Sequence, residues 1–355
     1  KNLVFHLNEH KIYKVIQFTR KDDINLLQSF VDRVDAIIHL AGENRPSDEK
    51  SFDIVNVGLT KSICSAIRLA SRKIPLILAS SIQAKSDNPY GNSKRKAELA
   101  VEELAKDTDN PVFIYRLPNV FGKWCKPNYN SVVATFCHNI ANDLSTKVNS
   151  PSLELRLVYI DDVIMEFNKS LQSKSSGLAY IQIDNEYTIA LGALEAQVKA
   201  FKNCRNNLIL ENVGNSLVRA LYATYISYLP TSKFSYEVPS YEDDRGAFVE
   251  ILKTKNSGQF SFFTAVSGVT RGDHYHHSKT EKFIVVKGIA QFNFRNLITN
   301  EVYKILTSDK VPEVVETIPG WAHNITNIGK EDLIVMLWAN EIFNRECPDT
   351  IACKV

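Results

Sequence analysis

The hydrophobic pattern changes period near residue 230, and that change constrains the fold more than any other feature of the chain. Before it, apolar runs alternate with amphipathic stretches. Residues 14–18, 36–41, 76–80, 112–116 and 155–160 read as buried strands, and residues 24–33, 52–70, 90–107 and 131–144 as helices between them. Residues 192–202 and 215–229 read as closing helices. Strands that alternate with helices predict an α/β Rossmann-like, doubly wound parallel sheet covered on both faces. After Leu229-Pro230, segments rich in Val, Ile, Phe and Tyr follow one another at 246–253, 259–267, 282–287, 289–295, 301–307, 313–318, 324–328 and 332–338. Short strands without intervening helices predict an all-β barrel or jelly roll. The expected domains are therefore 1–230 and 231–355, and two domains suit a chain of 355 residues.

The balance of 42 Lys and Arg against 40 Asp and Glu leaves a net charge of +2, which offers no field for nucleic acid or an acidic membrane. No apolar run approaches the roughly 20 residues that span a bilayer. Residues 1–7 are too short and too polar for a signal peptide, and no initiating Met stands before them. They read as the middle of a helix, so a preceding segment is expected. Cys64, Cys125, Cys137, Cys204, Cys347 and Cys353 are scattered with no CxxC pair, which predicts reduced thiols in a cytoplasmic protein.

His274 and His276 stand at i and i+2, so in a strand they share a face, while His277 faces the other way. Glu281 and His323 would then come from neighbouring strands to complete a metal site. Three imidazoles and a carboxylate suit zinc or another borderline divalent ion. In the first domain Ser80-Ser81 ends a strand, and Tyr90-Gly-Asn-Ser-Lys94 opens a helix. Tyr90 and Lys94 share a helix face, where the ammonium is expected to lower the phenol pKa. An isolated pair of this spacing is usually surface decoration.

This pair has company: His39-Leu40-Ala41-Gly42, Asn56-Val-Gly58, Arg116-Leu-Pro-Asn119-Val-Phe-Gly122 and Val158-Tyr-Ile-Asp161-Asp162-Val163 follow in order. In this order the set resembles the extended short-chain dehydrogenase/reductase family, which modifies nucleotide sugars. The resemblance implies Ser81, Tyr90 and Lys94 as the catalytic trio, with Leu40, Ala41, Gly42, Asn56 and Asn119 along the cofactor. It implies Arg156 and Asn130 as contacts of the nucleotide diphosphate. The interval from Ser81 to Tyr90 is shorter than usual for the family, so a small loop is expected over the substrate. The family's first strand and glycine-rich phosphate turn do not occur in the chain. Thr19-Arg20-Lys21 stands where an acidic residue would hold the ribose of NAD, so NADPH is the expected cofactor, held by Thr19 and Arg20.

Gly268, His274, His276, Glu281 and Gly288 match the first signature of the cupin family, and His323 with Asn327 fits most of the second, with Pro319 one place off. Asp244-Arg245-Gly246 and Arg271-Gly-Asp-His274 resemble the sugar-nucleotide 3,5-epimerases, which share the cupin barrel. By that resemblance Arg245 and Arg271 contact substrate and His274 is catalytic. Those epimerases work without metal and carry a lysine where Glu281 stands, so His274 has two readings, metal ligand or base; Glu281 favours the ligand. A reductase followed by a cupin resembles the bifunctional enzymes of capsular polysaccharide synthesis. That resemblance implies C3 epimerisation of a UDP-2-acetamido-2,6-dideoxy-4-hexulose by the cupin. Reduction of the C4 ketone with NADPH would then give UDP-N-acetyl-6-deoxy-L-talosamine, on the route to UDP-N-acetyl-L-fucosamine. The alternative is a 4-keto-sugar reductase whose cupin only binds sugar and dimerises. Pairing through cupin sheets makes a homodimer the expected assembly.

Overall fold

The computed structural model describes residues 1–355 apart from His10, Ser47 and Ser71. Ile37–His39, Leu76–Ser81, Val112–Leu117 and Leu178–Ile181 lie side by side in that order, all parallel. Alternation sends their side chains to two cores. Leu76, Leu78, Val112 and Ile114 pack with Ile63, Ile67, Val101 and Leu104 from the helices Leu59–Leu69 and Pro89–Thr108. Ile77, Phe113 and Tyr115 pack with Val163 and Phe167 from the helix Ile160–Gln172. The first unit is therefore a Rossmann-like parallel sheet with helices on both faces.

Two expected strands behave differently. Residues 14–18 are not a strand, because among the described residues their main chain meets no ladder partner; Phe18 packs instead on the helical core, 5.2 Å from the Phe30 ring. Glu154–Tyr159 is a strand but lies outside the main sheet. It runs parallel to Asn119–Phe121 and antiparallel to Glu186–Ala190 in a three-stranded sheet. Leu178–Ile181, which the apolar pattern did not mark, takes the place beside Val112–Leu117.

The second unit is built around two antiparallel sheets. One runs Val314–Glu316, Glu281–Lys287, Leu333–Ala339, Gly258–Ala265, Gly246–Thr254, with Ser240–Asp243 and a short parallel Ile209–Leu210 at its edge. The other runs Val302–Ser308, Ile289–Asn296, Trp321–Asn327, Thr270–Tyr275, Ile351–Ala352. Phe263, Phe283, Val285 and Val335 of the first sheet share one core with Ala290, Phe292, Phe294 and Ile325 of the second. All eight segments read from the sequence here are strands. Ile140–Asn142 and Ala196–Tyr222 also belong to this unit by their contacts.

Candidate active sites

In the first unit the site is assembled where one strand ends and one helix begins. Asn88 caps the helix Pro89–Thr108 by accepting the Gly91 N–H at 2.8 Å, and Pro89 occupies the first turn, where its missing N–H costs nothing. Gly91 is required by close approach: a Cβ there would stand 2.2 Å from the Gln83 carbonyl oxygen and 2.6 Å from that of Ser86. Ser81 in turn caps the short helical turn Ile82–Lys85, its hydroxyl accepting the Gln83 N–H at 3.2 Å. Strand end and helix start are thus held together, and Tyr90 is brought to Ser81.

Burial raises the Tyr90 phenol above its ordinary range, and hydrogen bonding with Ser81 only partly opposes this. The lowering expected from Lys94 is not found: burial sets the direction, and the one opposing influence is the Ser81 hydrogen bond. Lys94 is itself buried, which lowers its pKa against the opposing field of Glu98. Its Nζ donates to the Ala79 carbonyl at 3.1 Å. Gly42 leaves room for it, since a Cβ there would meet Lys94 Nζ at 3.1 Å and Asn56 Oδ1 at 3.2 Å.

Asn56 lies in the π-helical turn Phe52–Gly58 and is buried. Its amide donates to Ser93 Oγ at 2.9 Å and the Glu43 carbonyl at 3.0 Å, while its Oδ1 accepts the Glu43 N–H at 2.7 Å. It therefore joins the loop after His39 to the helix carrying Tyr90 and Lys94. A cavity of about 480 Å³ is lined by Ser81, Tyr90, Lys94, Asn119 and Asn130. Gln83, Asn44 and Arg45 also line it and were not singled out from the sequence. Arg45 Nη1 donates to the Tyr129 carbonyl at 2.7 Å; its signal was a lone cation three residues after Gly42.

The other expected residues are placed more loosely. Arg156 is not among the lining residues; its guanidinium holds Glu186, with Nη2 2.9 Å from Oε2, and its carbonyl accepts from Asn119 at 3.0 Å. Thr19 binds Asp22 through its N–H and hydroxyl, and Arg20 pairs with Glu43 at 3.0 Å with most of its side chain exposed. Leu40 and Ala41 are exposed.

In the second unit His274, His276, Glu281 and His323 place one ligand atom each within 4.8 Å of one another. His274 and His323 stand opposite each other on adjacent strands, with ring centroids 4.6 Å apart. Glu281 comes from the facing sheet rather than from a neighbouring strand, so the cluster lies between the two sheets. His276 Nδ1 donates to the Asp349 carbonyl at 2.5 Å, which leaves Nε2 of the neutral ring as an acceptor. That Nε2 faces Glu281 Oε2 at 3.2 Å, and His323 Nε2 is buried 3.5 Å from the same oxygen without an aligned hydrogen bond. Nitrogens and a carboxylate oxygen that converge in a buried space need a proton or a cation between them, and this donor set fits a divalent metal.

Burial and the nearby His323 lower the His274 pKa to about 4, so its imidazole is neutral, as a ligand must be. Burial opposes ionisation of Glu281, yet with protons on the facing His276 and His323 nitrogens, and with the Lys279 ammonium, it lies well below its ordinary range; a metal ion would take the place of those protons. Lys279, with Nζ 2.9 Å from Glu281 Oε1 and almost no exposure, was not picked out from the sequence. His277 is exposed.

A cavity of about 300 Å³ opens beside the cluster, lined by His274, Lys279, Glu281, His323 and Arg271 with a wall of Phe248, Phe263, Phe283, Phe292 and Phe343. Arg271 sits 5.5 Å from the centre of the Phe263 ring, and its Nε and Nη2 are buried without hydrogen-bond partners. Arg245 is not among the lining residues and pairs with Asp243 at 2.6 Å.

Comparison with known proteins adds independent findings. Residues 1–184 match the NAD dependent epimerase/dehydratase family, and residues 241–351 match the polysaccharide biosynthesis C-terminal domain. The chain is 53% identical over 355 residues to the UDP-2-acetamido-2,6-beta-L-arabino-hexul-4-ose reductase of Pseudomonas aeruginosa, spanning all of this chain and 95% of that one. Its structure resembles the capsular polysaccharide assembling protein CapF from Staphylococcus aureus, with a TM-score of 0.91 and 38% identity over 100% of this chain and 96% of that one. It also resembles CapF with the inhibitor 3-isopropenyl-tropolone, with a TM-score of 0.86, 34% identity and the same coverage.

Proposed function

The chain belongs to the NAD dependent epimerase/dehydratase family, and from that premise we propose that it is a bifunctional nucleotide-sugar enzyme acting on a UDP-4-keto sugar. The observation that carries this reading is the presence of two chemically different pockets in one chain: a Ser81–Tyr90–Lys94 site and an imidazole–carboxylate site beside Arg271, whose Nε and Nη2 lack hydrogen-bond partners and whose ion pair to Asp243 is long, at 3.8 Å. The finer substrate is a UDP-2-acetamido-2,6-dideoxy-4-hexulose, supported by the activity for which the Pseudomonas aeruginosa relative is named.

The second unit acts first. A C4 ketone acidifies the C3–H bond, so removal of that proton leaves an enolate whose charge rests on the C4 oxygen. Arg271 is a cation in an apolar cavity without a hydrogen-bonding acceptor for its Nε and Nη2, which suits it to hold that oxygen or the substrate phosphates. His274, His276, Glu281 and His323 would hold a divalent ion, zinc first, which supplies Lewis acidity for the same charge. The C3 proton passes to a basic group on one face of the sugar, and an acid on the opposite face returns a proton to C3, which inverts it.

The first unit then reduces the ketone. NADPH supplies the hydride to C4, and the exposed Arg20 suits its extra phosphate. Tyr90, kept protonated by burial, delivers a proton to the C4 oxygen while Ser81 orients that oxygen. Lys94 holds its ammonium beside Gly42 and Asn56, where the cofactor ribose would lie. The product is UDP-N-acetyl-6-deoxy-L-talosamine, on the route to UDP-N-acetyl-L-fucosamine for capsular polysaccharide. Tyr90→Phe is expected to lower NADPH oxidation with the UDP-4-keto sugar by at least about 100-fold while NADPH fluorescence still reports binding. A variant that keeps a tenth of the rate would remove Tyr90 from this role.

A further inference from the structure

Asp349 lies about 70 residues beyond the loop it grips, in the last turn of chain before the terminal strand. Its carboxylate accepts three consecutive main-chain N–H groups: His277 on Oδ1 at 2.8 Å, then Ser278 at 2.7 Å and Lys279 at 2.8 Å on Oδ2. The Ser278 hydroxyl adds a fourth contact at 3.0 Å. Its main-chain carbonyl takes the His276 Nδ1–H at 2.5 Å. Two residues later Ile351–Ala352 pairs with Tyr275 and His274, and the Cys353 N–H reaches the Asp273 carbonyl at 2.7 Å. Residues 349–353 thus touch every residue from 273 to 279.

The consequence for the cluster is specific. His276 can coordinate through Nε2 only if the proton sits on Nδ1, and a carbonyl opposite Nδ1 selects that tautomer. Glu281 follows directly on the loop 277–280, so the register that Asp349 sets for that loop also sets where the Glu281 carboxylate enters. Lys279, the cation beside Glu281, is carried on the same loop.

We propose that Asp349 is a positioning residue for the metal centre, and that the C-terminal segment is a clasp which must be seated for tight ion binding. This rests on the metal reading above. Ligands held in place before the ion arrives lose less freedom on binding, and groups behind the ligands typically change metal affinity by about 10–100-fold.

The test is Zn²⁺ titration of the full-length chain against a chromophoric chelator, comparing wild type, Asp349→Ala and Asp349→Asn. Asp349→Ala is expected to weaken Zn²⁺ binding at least about tenfold. Asp349→Asn, which keeps one acceptor oxygen, is expected between the two and serves where the alanine variant does not fold. The visible band of the Co²⁺-loaded chain, which reports ligand geometry, is expected to shift in the variants; a loosened fold with an intact ligand set would leave it in place. Affinity within twofold of wild type and an unmoved Co²⁺ band would overturn the clasp and leave the metal reading standing. A wild-type chain that binds no Zn²⁺ would overturn both.

Discussion

His39 is buried against the helix Leu59–Leu69, with its Nε2 2.9 Å from Thr60 Oγ1. The Thr60 hydroxyl donates to the Asn56 carbonyl at 2.6 Å, so His39 must donate in turn. Burial, reinforced by the Lys94 charge, lowers its pKa to about 4. The unfolded imidazole titrates near 6.5, so between these values the unfolded chain binds the extra proton. Stability is accordingly lost as pH falls from about 6.5 to about 4, by roughly 3 kcal/mol for this group alone. Urea unfolding at pH 7 and pH 4.5 is expected to show this loss, and His39→Gln to reduce it; an equal loss in the variant would contradict the assignment. Single residues were legible from sequence where their partners are local or their spacing is distinctive, as with His274, His276 and Glu281. Lys279 carried no such signal, and Asp349 acts through a return of the chain that no local pattern encodes.

At the level of elements, apolar period revealed burial but not neighbours. It marked residues 14–18 and 155–160 as strands of one sheet, although among the described residues the first has no ladder partner and the second joins Asn119–Phe121. In the β unit alternation marked eight strands, each short and bounded by turns, but not Ser240–Asp243, Thr270–Tyr275 or Ile351–Ala352. The helix Pro89–Thr108 was legible to within a residue at each end. What holds it was not. Glu98, one turn after Lys94 and fully buried, accepts the Ser80 hydroxyl at 2.6 Å, Arg116 at 2.9 and 2.6 Å, and Arg95 at 3.1 Å. It ties the helix to the strand ends that carry Ser81 and the loop to Asn119. Glu98→Ala strands the Arg116 cation, and a loss of about 3 kcal/mol is expected in urea unfolding. A loss under about 1 kcal/mol would assign the tie to packing instead.

For the whole molecule, the two pockets make chemical sense as an ordered pair. In the proposed reaction the ketone that acidifies C3 is the ketone later reduced, so exchange at C3 would precede consumption of the carbonyl. The sequence carried both motif sets, and hence the pairing; it could not place Glu281 on the sheet facing the histidines, since that depends on how the two sheets pack. The most direct measurement is NMR of the UDP-4-keto sugar incubated in D₂O without NADPH, with wild type, Tyr90→Phe, His276→Gln and Glu281→Gln. Wild type and Tyr90→Phe are expected to place deuterium at C3 at similar rates, and the other two to be slowed at least about tenfold. Deuterium entry that proceeds unchanged in His276→Gln and Glu281→Gln would contradict the epimerase role of the second unit.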